Sequence, residues 1–149
     1  MADYTTLTGI KKLPSGAVYS SNRYLSAFPA TPNNAAWSGS YLKRFNAHPT
    51  NWSWEGDTAA RFLLGAMRKT GSADPVKLAA ALRGMEIESP VGVKGGKIVM
   101  RAEDHTVIDY ALGWGRIVPQ SPYIADLEPA NWTDVLAEEA AWKKKKGYA

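Results

Sequence analysis

Apolar residues between positions 58 and 70 recur at the spacing of a buried helix face. They follow the i, i+3, i+4 pattern that places side chains on one side of a helix. The residues of this stripe are Ala59, Phe62, Leu63, Ala66 and Met67. Ala60 and Leu64 widen it, which is typical of a helix packed on a sheet. The pattern therefore predicts a buried helix from Thr58 to Thr70.

Both ends of this predicted helix carry boundary signals. Asn51 or Ser53 can supply the N-cap oxygen, and Glu55 and Asp57 place negative charge near the positive end of the helix. Gly71 can adopt the left-handed conformation that ends a helix. The element is therefore expected to have well-defined limits.

Two tryptophans and a carboxylate crowd the entry to this helix. If the chain approaches in an extended conformation, Trp52 and Trp54 point to the same side and can wall one cavity. Glu55 can then receive an amino group, whereas an anionic ligand would turn Glu55 away and meet the helix N–H groups. We predict a ligand site formed by Trp52, Trp54 and Glu55. The alternative is that both indoles only fill the core.

The remaining elements are predicted from periodicity and from turn residues. The segment from Thr5 to Leu13 is polar and weakly patterned. The predicted elements are a strand Gly16–Ser20, a loop Asn22–Asn33, a helix from Asn33 or Asn34 to about Asn46, a helix Val76–Arg83 capped by Asp74, a connector Ile87–Val93, a strand Lys97–Met100, a loop Arg101–Thr106, a strand Val107–Val118, a linker Pro119–Pro129, and a helix from Trp132 to about Lys145 capped by Asn131.

Three of these elements carry patterned faces. Aromatic residues in the first helix recur every four positions and are expected to stack in the core; they are Trp37, Tyr41 and Phe45. The inner seam of the last helix is Trp132, Val135, Leu136, Ala140 and Trp142. The strand Val107–Val118 is bulky on one face and small on the other, at Ala111, Gly113 and Gly115, so another backbone is expected to approach it closely.

The helix faces around Phe62 and Leu82 and the strand from Ile108 to Trp114 imply a sheet larger than the predicted strands supply. Exposed apolar surface of several hundred Å² favours association. We therefore expect dimers, an exchange of elements between copies or a complementary chain.

Composition excludes several classes of protein. The chain has 149 residues, 45% hydrophobic and 21% charged, which is ordinary for one globular domain and argues against disorder. No apolar run approaches the roughly twenty residues of a membrane span, and Met1 to Tyr4 do not begin a signal peptide. The absence of cysteine excludes disulfides and thiolate chemistry. Much of the net charge of +4 lies in Lys143–Lys146, which favours a solvated helix end over a polyanion site.

No motif indicates catalysis, a metal or a cofactor. His48 and His105 have no partner at metal-ligand spacing. Asp104 and His105 are interpreted as structural residues of a turn, without an acid or base role, since no nucleophile motif accompanies them. The segment Gly92–Gly96 lacks the Gly-Lys-Ser/Thr ending of a phosphate loop. We therefore expect no catalytic residue, no metal and no cofactor.

The order of several short segments resembles a known family. The segments are Gly16–Ser20, Tyr41–Phe45, His48–Pro49, Trp52–Met67, Lys69–Leu78, Ala81–Gly84, Ser89–Gly92 and Arg101–His105. Between about Gly16 and Val118, the sequence is similar to the C-terminal part of a periplasmic substrate-binding protein of the branched-chain amino acid ABC transporter type.

The resemblance implies an α/β fold, a fragment of the two-lobed type I periplasmic binding fold with helices packed on a mostly parallel sheet. Residues 1–149 would be one C-terminal segment that contributes elements to both lobes, with residues 131–149 as a terminal helix and basic tail. The resemblance also implies a non-enzymatic, periplasmic receptor that binds an amino acid, amide or aromatic acid and docks on a membrane ABC permease. The family is exported and more than twice as long, so a truncated frame, a split gene or a processed fragment is expected.

An alternative from another class is a small basic module that binds nucleic acid. Its contacts would be the tail Lys143–Lys146 and exposed tryptophans. Salt-dependent binding to single-stranded DNA would favour this alternative, whereas a fluorescence response to amino or aromatic acids would favour the receptor.

Overall fold

The computed structural model describes residues 4–12, 19–22, 31–120 and 123–148. In chain order its elements are α1 (Tyr4–Gly9), β1 (Tyr19–Asn22), α2 (Asn34–Phe45), α3 (Asn51–Thr70), α4 (Pro75–Leu82), β2 (Glu86–Glu88), β3 (Lys97–Met100), β4 (Val107–Ile108), β5 (Gly113–Ile117), β6 (Ile124–Pro129) and α5 (Trp132–Lys146). The predicted α/β class is confirmed. The predicted strand Gly16–Ser20 and loop Asn22–Asn33 lie largely outside the described residues.

Helix α3 begins seven residues before the predicted start at Thr58. Its N-cap is Thr50, whose side chain accepts from the Ser53 N–H while the Ser53 hydroxyl accepts from the Thr50 N–H. This capping box satisfies two backbone donors at once, which makes the earlier start favourable. Asn51 and Ser53 are therefore not the N-cap. The helix ends as predicted, at Gly71, whose φ of +60° is the left-handed conformation.

The buried face of α3 differs from the predicted stripe. The buried residues of α3 form an i, i+3, i+4 series consisting of Asn51, Trp54, Thr58, Phe62 and Ala66. Ala59 is exposed, and Leu63 keeps 47% of its surface exposed. The earlier start places Trp54 in the inward series, so Ala59 and Leu63 project about 100° away from it. Part of the apolar face of α3 is therefore open to solvent.

Helices α2 and α5 confirm their predicted positions but not all of their buried residues. Along α2, the rings of Trp37 and Tyr41 lie 5.7 Å apart and those of Tyr41 and Phe45 lie 4.6 Å apart. Phe45 is nonetheless 55% exposed, and Trp142 of α5 is 52% exposed. Phe45 is the last residue of α2, and Trp142 lies just before the last turn of α5, so both are beyond the core. Trp132, at the start of α5, is buried.

Helix α4 lies within one residue of its predicted limits at each end. Asp74 caps the helix by accepting from the Lys77 N–H at 2.9 Å, and Pro75 occupies the first position. Leu78 and Ala81 are buried against α3. An Asp-Pro start is a strong local signal, which explains why the boundary could be predicted.

The described strands form two antiparallel sheets, with orders β1-β5-β6 and β2-β3-β4. The mostly parallel sheet implied by the resemblance is therefore not present among these strands. The links between β2 and β3, β3 and β4, and β5 and β6 are too short for the crossover that parallel pairing requires. Strand β2 thus includes the first two residues of the predicted connector Ile87–Val93, and the linker predicted at Pro119–Pro129 contains β6.

The strand predicted over Val107–Val118 is divided between the two sheets. Asp109 lies at φ +63°, which breaks the extended conformation between β4 and β5. The small face of β5 is buried as predicted. A side chain at Gly113 would lie 2.6 Å from the carbonyl oxygen of Glu128 in β6, so the neighbouring backbone does approach closely there.

Candidate functional site

A groove of about 500 Å³ opens beside the N-terminal half of α3. Its other walls come from the end of α4, from β3 and β4, and from the turn that joins these two strands. The lining residues are Trp54, Glu55, Thr58, Ala59, Phe62, Leu63, Leu82, Met100, Thr106, Val107 and Tyr110. The surface is mainly apolar, with a few polar groups along one helix, as in small-molecule sites.

Trp54 forms the inner wall of this groove. It is 4% exposed, and its indole Nε1 donates to the Ser89 hydroxyl at 3.1 Å. Its ring lies 5.4 Å from that of Tyr110, whose ring lies 4.9 Å from that of Trp132. The satisfied N–H and the packed rings hold the indole in one orientation. Trp54 therefore serves both the core and the groove.

Trp52 lies elsewhere, and the extended approach on which its pairing with Trp54 rested is wrong. Both residues belong to the first turn of α3, where positions i and i+2 project about 200° apart. Trp52 is 67% exposed and does not line the groove. Its spacing to Glu55 and Ala59 is i, i+3 and i+7, so it lies on the same side of α3 as these two groove residues.

Glu55 and Thr58 place polar atoms in the apolar wall, three positions apart on α3. Glu55 is half-buried, while Thr58 is 7% exposed. The Thr58 hydroxyl oxygen has no hydrogen-bond partner among the described residues. A buried hydroxyl without a partner is energetically costly, but this oxygen is inaccessible to solvent, so a molecule in the groove could reach it only if the side chain turned.

Sequence reasoning missed Thr58 and Tyr110 as groove residues. Thr58 follows Trp54 by four positions and Glu55 by three, so a helix starting at Asn51 would have placed them together. Tyr110 fell within the predicted strand Val107–Val118 and was given no role in a site. Its place beside Trp54 depends on how the β-sheet packs on α3, which no local pattern reveals.

The loop between β3 and β4 has the predicted turn structure. The Thr106 N–H donates to Asp104 Oδ1 at 2.9 Å, as in an Asx-turn. His105 lies at φ +59°, and its Nε2 contacts the Ala79 carbonyl of α4 at 3.0 Å. These contacts confirm that both side chains hold the loop. Their lack of an acid or base role stays a prediction.

Arg101 ties this loop to α5. Its Nη1 lies 2.6 Å from Glu139 Oε2 and its Nε lies 2.7 Å from Glu103 Oε1, while Lys143 reaches Glu139 at 2.5 Å. Hydrogen bonds from Lys143 and Arg101 lower the pKa of the Glu139 carboxyl. The Thr106 N–H lowers the pKa of Asp104, and hydrogen bonds lower that of Glu103. Hydrogen bonds to Glu139 and Glu103 raise the pKa of Arg101.

These shifts predict a loss of stability in acid. A carboxyl whose pKa is lowered by folding contributes stability above its unfolded pKa and loses it as the pH falls through the folded value. We expect the melting temperature to fall below about pH 4, where Arg101 remains charged throughout. Glu139→Gln should make this decline shallower, as measured by circular dichroism between pH 7 and pH 3. Glu138→Gln, one position away on α5, is the control and should leave the pH dependence unchanged.

The described residues hold no cluster of three His, Asp or Glu side chains suited to a metal ion. Within the same ranges, every helix is too short or too polar to cross a membrane.

A family model described as periplasmic binding protein matches residues 2–112. No curated protein matches the chain significantly. Among solved structures, an ABC-type branched-chain amino acid transporter from Rhodopseudomonas palustris CGA009 is 30% identical, with a TM-score of 0.58, over 76% of this chain and 29% of that one.

Two further structures show likeness in fold. A solute binding protein of an ABC transporter from Rhodopseudomonas palustris BisB5, in complex with 3,4-dihydroxybenzoic acid, is 24% identical with a TM-score of 0.63, over 82% of this chain and 32% of that one. An amino acid ABC transporter substrate-binding protein from Pseudomonas fluorescens Pf-5 is 24% identical with a TM-score of 0.61, over 77% of this chain and 31% of that one. The chain thus spans less than a third of the length of each of these proteins.

Proposed function

The chain belongs to the periplasmic binding protein family, and we propose that it is a C-terminal segment of a solute receptor that serves an ABC transporter. The receptor would be non-enzymatic, would work in the periplasm and would deliver its solute to a membrane permease. The segment would contribute elements to both lobes and would pair with the remaining part of the receptor or with a second copy.

The groove beside α3 is the observation that supports solute binding. Its volume of about 500 Å³ suits a small molecule, and aromatic side chains line it beside a carboxylate. Trp54 and Tyr110 offer ring faces to an apolar body, while Glu55 offers an acceptor for an amino or amide group. We propose Trp54 and Glu55 as ligand contacts. Trp52, exposed on the same side of α3, would contact the ligand as the receptor closes over it.

Tryptophan fluorescence tests this proposal. We expect titration with a panel of amino acids, amides and aromatic acids to give a saturable change in emission for at least one class, confirmed by calorimetry. The signal should be lost in Trp54→Phe and retained in Trp142→Phe, the control, because Trp142 lies at the end of α5 and outside the groove. No response to any solute, together with salt-sensitive binding of random single-stranded DNA, would overturn the proposal in favour of a nucleic-acid module.

A further inference from the structure

We propose that the C-terminal end of α5 docks on the surface of an anionic membrane. The docking site, the tail patch, consists of Trp142, Lys145, Lys146 and Tyr148. None of these four residues lines the groove beside α3. The proposal therefore goes beyond the proposed function and can be tested separately from it.

A glycine stop holds two aromatic rings together at the end of α5. Gly147 lies at φ +75°, and the N–H of Tyr148 donates to the Lys143 carbonyl at 3.0 Å. This is the Schellman arrangement, in which the residue after the glycine folds back on the last turn of the helix. The ring of Tyr148 thereby lies 5.5 Å from that of Trp142. Both residues nonetheless stay mostly open to solvent, at 71% and 52% exposure.

Positive charge lies beside this aromatic pair. Lys145 and Lys146 follow Trp142 by three and four positions, so they lie on the same side of α5. Both lysines are exposed, and the described part of the chain gives neither of them a carboxylate partner, whereas Lys143 pairs with Glu139 at 2.5 Å. Two ammonium groups beside two amphipathic rings match a surface that is anionic outside and apolar just beneath.

Helix capping explains only part of this arrangement. The end of α3 shows what a cap requires, because Gly71 there is also at positive φ and the last turn also carries two cations, Arg68 and Lys69. Such cations offset the negative end of the helix dipole. The last turn of α3 contains no aromatic residue. The exposed aromatic pair of α5 is therefore additional to the cap, and it is this pair that points to a lipid surface.

The geometry of the two rings favours lipid over nucleic acid as the partner. Tryptophan and tyrosine are enriched at the head-group level of membranes, where the ring is partly buried and its N–H or O–H stays in water. Nucleic acid would instead stack a base flat on an aromatic ring. The rings of Trp142 and Tyr148 contact each other with their planes 46° apart, so a base could not lie flat between them.

Co-sedimentation of the 149-residue protein with lipid vesicles tests the proposal. We expect binding to vesicles of equal parts phosphatidylcholine and phosphatidylglycerol, little binding to phosphatidylcholine alone, and release as the salt concentration rises. Replacing Lys145 and Lys146 together by glutamine should weaken binding about twentyfold. Trp142→Ala should weaken it at least about fivefold. The anionic vesicles should also shift tryptophan emission to shorter wavelength, and Trp142→Phe should reduce this shift.

The matched control removes the same charge from the end of α3. Arg68→Gln combined with Lys69→Gln lowers the net charge equally but affects no aromatic pair, so vesicle binding should change by no more than about twofold. An equal loss in this control, or binding that Trp142→Ala leaves unchanged, would overturn the proposal. Binding to both kinds of vesicle alike would overturn it too. Tighter binding to random single-stranded DNA than to the anionic vesicles would identify a nucleic-acid surface instead.

Discussion

Gly92→Ala is expected to lower the stability of the protein by about 3 kcal/mol or more. Gly92 is buried, and a side-chain carbon built on it would lie 2.3 Å from the Gly96 carbonyl carbon and 2.4 Å from the Lys97 nitrogen. Both are backbone atoms, so the turn before β3 would have to move. Because Gly92 also bridges to Tyr110, the wall of the groove would move with it. Thermal unfolding should show a fall in melting temperature on the order of 10 °C.

Gly56→Ala is the matched control for this substitution. Gly56 is exposed within α3, and a side-chain carbon there meets no atom within 4 Å. Alanine in a helix is favoured over glycine by about 1 kcal/mol, so this variant should melt a few degrees higher than the parent. The two substitutions are chemically identical, yet they should change the melting temperature in opposite directions. A Gly92→Ala protein that melts within about 2 °C of the parent would show that the turn is loosely packed.

Elements with strong local signals could be predicted from the sequence. The strand β3 has the predicted limits because Gly95 and Gly96, both at positive φ, form the turn before it. Helix α4 could be predicted from its N-cap residue, Asp74. The family could also be recognised from the sequence, because this recognition depends on the order of several segments rather than on any single element.

Other features depend on interactions that local patterns do not contain. The break between β4 and β5 requires Asp109 at positive φ, and its carboxylate lies 2.8 Å from Lys94 across the turn. The alternation of bulky and small residues along the predicted strand could not show this ion pair. The prolines around β6 obscured an edge strand, since proline is tolerated there. The groove itself depends on the packing of α3 against β3 and β4, so its lining could be identified only in part.

Replacing each of the two tryptophans at the start of α3 by alanine should have very different effects on the stability of the protein. Trp54→Ala removes a buried ring that contacts Tyr110 and donates to Ser89, so we expect a loss of about 3–5 kcal/mol. Trp52→Ala removes an exposed ring and should change stability by no more than about 0.5 kcal/mol. Chemical denaturation would measure both values, with Trp142→Ala as a control for an exposed indole outside the groove.

Solute affinity then distinguishes a ligand contact from a core residue. Because Trp54→Ala is expected to be destabilised, Trp54→Phe is the variant for binding, since it keeps an aromatic ring while it removes the donor to Ser89 and part of the buried ring volume. If Trp52 closes over the groove, Trp52→Ala should weaken binding of the best solute while the melting temperature stays constant. Because an exposed side chain contributes little to the core, such a loss of affinity at constant stability would support contact of Trp52 with the ligand or with the part of the receptor that covers it. Unchanged affinity in both Trp52→Ala and Trp54→Phe, with Trp54→Ala destabilised as a core deletion, would instead identify Trp54 as a packing residue alone and leave Trp52 without a binding role.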